Sequence, residues 1–141
     1  LSTFQQEGIA RTIENSLELM GFDPVSARLS RHAWTIREGS ASLHLAYAEE
    51  QATLCAEVHL VRMDGDTDRC ELMRFLLKEN RHLTGYGFSI QDDLVVVALH
   101  IPAVFIREEG TSALFLNLLK ECDIYDNQLV NVFGAKWIYK F

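Results

Sequence analysis

The sequence has 141 residues, with 13 Lys and Arg against 20 Asp and Glu, so its formal net charge is −7 and its pI is near 5.1. Hydrophobic residues make up 48% and charged residues 23%, which is typical of a folded chain rather than a disordered one. The acidic balance disfavours nucleic acid as a partner. The longest apolar run, Leu94 to Leu99, is far shorter than the roughly 18 residues of a membrane helix.

The length and the lack of a linker favour a single domain over residues 1–141. The three cysteines, Cys55, Cys70 and Cys122, are odd in number and widely spaced, which argues against a disulfide framework or a thiolate zinc site. We therefore expect them to be small buried residues in a reducing compartment. The opening residues lack the basic and apolar regions of a signal peptide, so we expect a cytoplasmic protein.

The first predicted helix begins at a cap on Ser2 or Thr3 and runs to about Met20, where Gly21 and Pro24 mark its end. Three strands with alternating apolar residues follow. Their apolar positions are Trp34, Ile36, Leu43, Leu45, Tyr47, Leu54, Ala56, Val58 and Leu60. This period of two indicates half-buried antiparallel strands joined by short turns.

At Asp64–Asp68 the period changes to 3.6, and Asp68 followed by Glu71 is typical of a capping box. The apolar stripe of this second helix is Leu72, Met73, Leu76 and Leu77. A hairpin of two strands is predicted next, with its turn at Gln91-Asp92-Asp93. Its second strand, Leu94 to Ile101, is apolar on both sides, which predicts a central or doubly covered position.

The last predicted helix begins at Thr111 or Ser112, has an apolar face of about five turns and ends at Gly134. The order of elements is therefore α-β-β-β-α-β-β-α. Runs of strands broken by single helices predict an α+β fold, in which helices cover one side of a five-stranded antiparallel sheet.

No pattern of residues indicates catalysis or a metal. Asp64, Asp66 and Asp68 have the spacing that opens a calcium loop, but Arg69 replaces the required glycine and Phe75 the bidentate glutamate. A solvated turn before a helix is the preferred interpretation.

The Gly85-Tyr86-Gly87 segment leads into a strand rather than the helix that a phosphate loop needs. The five histidines form no HxH or HExxH motif. A ligand pocket would need polar groups such as His59, His100 and Glu57 to converge. We therefore predict a protein that is not an enzyme and has no cofactor.

Apolar residues on the side of the sheet without helices would be exposed, and exposed apolar surface marks protein interfaces. Leu43, Leu45, Tyr47 or their alternates lie on that side, and the tail adds aromatic residues. The predicted partner-binding residues are Leu43, Leu45, Tyr47, Trp137 and Tyr139. The alternative is that the tail folds back and plugs the sheet or a groove between helices.

The order of elements resembles the fold of type III secretion chaperones. The local match lies in the second helix and the hairpin, where Leu76–Asn80 leads into Gly87–Ile90, an acidic turn and a strand ending at His100–Pro102. The same pattern is similar to the YbjN-like family, and the residues from Tyr125 to Gly134 look more like that family than like the chaperones. These families support fold better than function.

The resemblance implies a homodimer that binds an extended segment of another protein, an effector or a regulatory client. A YbjN-like bacterial regulatory or stress-related protein of undefined biochemical role is the alternative. In the chaperones the second helix or the last hairpin often supplies the dimer contact. That position here corresponds to Leu72, Phe75, Leu76, Val95 and Val97. The aromatic tail departs from the chaperone pattern and would compete with a client for surface.

Overall fold

The computed structural model describes residues 2–138, in which helices cover one face of an antiparallel sheet. The helices are α1 (Thr3–Leu19), the single turn α2 (Pro24–Ala27), α3 (Arg69–Asn80) and α4 (Glu108–Phe133). The strands are β1 (Arg28–Ser30), β2 (Ala33–Glu38), β3 (Ala41–Ala48), β4 (Thr53–Arg62), β5 (Tyr86–Gln91), β6 (Leu94–Pro102) and β7 (Lys136–Trp137). None of the helices described is long and apolar enough to cross a membrane.

The sheet follows the order β1-β2-β3-β4-β6-β5, and β7 pairs with the end of β4 beyond its ladder with β3. The predicted α+β fold is confirmed, and β6 lies inside the sheet, between β4 and the edge strand β5. The sheet has seven strands rather than five. The two additional strands, β1 and β7, are three and two residues long, too short for an alternation to be read.

The side chains of each strand alternate between the helix layer and the open face of the sheet. In β4, Leu54, Ala56, Val58 and Leu60 are fully buried, while the residues between them are half-buried. Buried residues of β6, α1 and α4 complete the same cluster. The core therefore lies on one side of the sheet, as the predicted alternation requires.

Of the three predicted helix starts, two agree with the structure. Ser2 forms a capping box with Gln5 at the start of α1, and Asp68 accepts from the Glu71 N–H at the start of α3. The last helix begins earlier than expected, at Glu108. The Thr111 hydroxyl lies in the first turn of the helix and accepts from the Arg107 N–H at 3.0 Å. Glu108 and Glu109 also lie in this turn, where negative charge favours the helix dipole.

Gly134, which ends α4, has φ +74°, and a Cβ there would lie 3.0 Å from the Asp66 carbonyl oxygen. Both features disfavour a side chain, so Gly134→Ala should lower the free energy of unfolding by about 1–3 kcal/mol. Chemical denaturation measures the change. The control is Gly8→Ala in α1, where the added methyl meets no atom within 4 Å and should stabilise the helix by about 0.5–1 kcal/mol. Equal stabilities of the two variants would contradict this account.

Candidate protein-binding surfaces

The exposed apolar face expected at Leu43, Leu45 and Tyr47 is not present. These side chains are 0%, 2% and 5% exposed, because they point into the core beneath the helices. Alternation alone shows that two faces differ, but not which one the helices cover. His44 and Ala46, the residues between them in β3, lie instead on the open face of the sheet, the face away from the helices.

The open face of the sheet carries a polar cluster. The rings of His44 and His59 lie 4.2 Å apart, and the Glu57 carboxylate is 3.6 Å from His59 Nε2. Hydroxyls of Thr35 and Ser42 lie 3.2 and 3.0 Å from the two ring nitrogens of His44. Burial, and then the neighbouring His59, lower the pKa of His44. The cluster therefore favours neutral His44, and this part of the face is not the apolar surface that was expected.

The carboxylates of the candidate calcium loop form a turn and a helix cap. Asp64 Oδ1 accepts from the Asp66 N–H at 2.9 Å, and Asp68 Oδ1 accepts from the Glu71 N–H at 3.3 Å. Across residues 2–138, no three His, Cys, Asp or Glu side chains are grouped to hold a metal ion. The arrangement fits the solvated turn that was preferred.

The cysteines differ in exposure. Cys122 is buried and Cys55 half-buried, but Cys70 is exposed, contrary to the expectation of three buried residues. Burial raises the pKa of the Cys55 and Cys122 thiols, which disfavours the reactive thiolate form of both.

The C-terminal tail folds back as far as the structure describes it. Trp137 pairs with Val61 and Lys136 with Arg62, and Trp137 is half-buried. The predicted binding residue Tyr139 lies outside the described residues. For Lys136–Trp137, the tail therefore extends the sheet beside β4, as in the alternative in which it folds back.

The residues predicted to contact a second copy pack inside the chain. Leu72, Leu76, Val95 and Val97 are buried, and the Phe75 ring packs against the rings of Phe133 and Tyr125. The apolar stripe of α3 is wider than the face that the core covers. A dimer contact in this region must therefore use the exposed neighbours of these residues.

Those neighbours form an apolar groove of about 200 Å³ between α3 and β5, which we call the α3–β5 groove. Met73, Leu77 and Ile90 line it and are 39%, 71% and 40% exposed. Leu76 and Phe88 also contribute to its lining. The sequence contains the signal for this groove, since Met73 and Leu77 lie four residues apart beside the buried stripe.

The outer edge of β5 is bonded by a side chain from α3. Asn80 Nδ2 donates to the Phe88 carbonyl oxygen at 3.1 Å, and the Phe88 N–H donates to Asn80 Oδ1 at 2.7 Å. Sequence reasoning missed this residue. Nothing in the pattern distinguishes Asn80 from an ordinary polar residue at a helix end.

The opposite edge of the sheet is β1, whose three residues are all exposed. Leu29 in this strand and Val25 in the preceding turn of helix are 70% and 79% exposed. Leu29 also lines a cleft of about 260 Å³ that includes Ala33 and Ala46. The β1 edge thus combines an exposed three-residue edge strand, which pairs with β2 on its inner side, with an adjacent small cleft.

A buried carboxylate ties α4 to the turn between β2 and β3. Asp126 is 0% exposed, and the Ser40 hydroxyl donates to its Oδ2 at 2.5 Å. Its Oδ1 has no hydrogen-bond partner. Burial raises the pKa of Asp126 to about 6, so the charged form is disfavoured in the folded state.

These elements together define the fold of the type III secretion chaperones. The chain is similar to a chain of the ExsC–ExsE complex, with a TM-score of 0.69 and 18% identity over 86% of this chain and 93% of that one. It is also similar to a chain of the HopA1–SchA chaperone–effector complex, with a TM-score of 0.68 and 12% identity over 90% and 98% of the two chains.

YbjN from E. coli has the same fold, with a TM-score of 0.60 and 13% identity over 89% of this chain and 93% of YbjN. No family model and no curated protein matches the sequence. At such low identity these likenesses establish the fold and leave the function to be argued from the surfaces.

Proposed function

We propose that the chain is a non-enzymatic binding protein, which acts as a homodimer and holds an extended segment of a partner polypeptide. The observation that supports this is the exposed apolar surface at both edges of the sheet, the β1 edge and the α3–β5 groove. The fold adds support, because similar chains occur in a complex described as chaperone–effector.

The β1 edge suits the partner segment. An edge strand offers backbone N–H and C=O groups to an added strand, and adjacent pockets take alternate side chains of that strand. At β1 the mostly apolar cleft beside Leu29 supplies such a pocket. Ala33 and Ala46 leave space in it for an apolar side chain, and His44 and Glu57 of the polar cluster also line it. The expected partner is an extended segment that carries small or medium apolar residues.

The α3–β5 groove suits a second copy of the chain. A twofold contact brings the same patch of both subunits together, so each of Met73, Leu77 and Ile90 would be buried twice. This interface takes the place of the one predicted at Leu72, Phe75, Leu76, Val95 and Val97, since most of those side chains already serve the core.

Recovery of the partner from the native host tests the proposal. The tagged chain should retain a polypeptide in which one segment resists proteolysis only in the complex. Leu29→Glu should weaken binding by about tenfold or more, because it places a charge in the apolar contact. Ile124→Glu, at a position 57% exposed on α4, is the matched control and should retain the partner. Failure to recover any polypeptide would contradict the proposal and favour the YbjN-like alternative.

A further inference from the structure

We propose that Asn80 closes the outer edge of β5, so that this edge does not accept a strand from another polypeptide. Its side-chain amide makes the two hydrogen bonds with Phe88 that a residue of a neighbouring strand would make. The donor and the acceptor of Phe88 are therefore both occupied within the chain. This inference concerns the chain by itself and does not depend on the proposed function.

The position of Asn80 along the edge is what makes the closure effective. In an antiparallel pair, every second residue of an edge strand directs its N–H and C=O outward. Since Asn80 bonds both groups of Phe88, the outward residues of β5 are Tyr86, Phe88 and Ile90. Phe88 is the middle one, so any added strand that bonds two successive outward residues must displace Asn80.

The composition of β5 shows why such closure is needed. Natural edge strands are protected by Lys, Pro, inward charges or bulges. The segment Tyr86–Gln91 reads YGFSIQ and contains no proline and no charged residue. Its register with β6 is regular throughout, and exposed Ile90 lies beside the apolar side chains of the α3–β5 groove. An uncharged edge strand with a regular register is open to pairing with another chain.

Asn80→Ala tests the proposal in the full chain. The Phe88 amide should exchange with solvent about tenfold faster, because one hydrogen bond of about 1.4 kcal/mol is lost. At rising protein concentration the variant should form assemblies with an intermolecular β-sheet signal in infrared spectra, and the unchanged chain should not. Asn127→Ala is the control, since Asn127 Nδ2 donates to the Asp123 carbonyl oxygen at 2.7 Å on α4, and it should change neither property.

Two further substitutions at the same position keep the test decisive. Asn80→Ser is too short to bond both groups of Phe88 and should behave like Asn80→Ala, so either variant suffices if the other does not fold. Asn80→Asp keeps an acceptor for the Phe88 N–H and should keep that amide protected. Unchanged Phe88 exchange in the shortened variants would overturn the proposal. So would faster exchange without assembly, which would leave Asn80 a purely local contact.

Discussion

Asp126→Asn should raise the free energy of unfolding at pH 7 by about 3 kcal/mol. The carboxylate is buried, and burial raises its pKa from 3.8 to about 6. Each unit of such a shift corresponds to about 1.4 kcal/mol. Asn has the shape of the neutral acid, and its amide oxygen can still accept from the Ser40 hydroxyl. Its amide nitrogen takes the place of Oδ1, which has no hydrogen-bond partner. It therefore removes the cost of a buried charge while it keeps the contact between α4 and the β2–β3 turn.

The pH dependence of this effect has a defined sign. The folded-state pKa of Asp126 is higher than its unfolded value, so the folded state binds a proton that the unfolded state releases. The stabilisation from this group is fully present below about pH 4 and is lost as the pH rises through about 6. Urea denaturation across this range should show the difference between Asp126→Asn and the unchanged chain growing with pH.

The comparison between variants isolates this group. Hydrogen bonds lower the pKa values of Asp23 and Asp64, so these two carboxylates make the folded state more stable as the pH rises. Both proteins contain them, so their contribution cancels in the difference between the two stabilities. Asp123→Asn, on the exposed side of the same helix, removes a charge that raises the pKa of Asp126 and should change stability by only about 0.5 kcal/mol. Parallel pH profiles for Asp126→Asn and the unchanged chain would contradict the assignment.

The longer elements of this fold were predictable because each has a local pattern. The alternation in β3 and β4 and the caps at Ser2 and Asp68 depend on residues a few positions apart, and all reappear in the structure. The side of the sheet that the helices cover depends instead on contacts between distant segments. For that reason Leu43 and Tyr47 were assigned to the exposed face, although they lie in the core.

The candidate surfaces were harder to predict for the same reason. Leu72 and Leu77 belong to one apolar stripe in the sequence, yet one is 0% and the other 71% exposed. Only the position of α4 and the sheet decides which part of the stripe is covered. The role of Asn80 could not be predicted from the sequence either, since it depends on the loop that brings Phe88 back to the end of α3.

Leu77→Glu should weaken self-association about a hundredfold or more, if the chain pairs through the α3–β5 groove as proposed. Burial of a leucine side chain contributes about 1.5–3 kcal/mol, and twofold symmetry counts that contribution twice. The loss of about 3 kcal/mol or more corresponds to a factor of at least about 10² in the dissociation constant. Sedimentation equilibrium over a range of protein concentrations measures it.

The exposure of Leu77 makes this variant selective. A side chain that is 71% exposed contributes little to the folded monomer, so its replacement should change monomer stability by only about 0.5 kcal/mol. Ile124→Glu adds the same charge at a similarly exposed site on α4 and should leave association unchanged. A monomeric unchanged chain, or a dimer that resists Leu77→Glu, would exclude the groove as the contact. Either result would leave partner binding at the β1 edge to be tested through Leu29, because the two surfaces lie at opposite edges of the sheet.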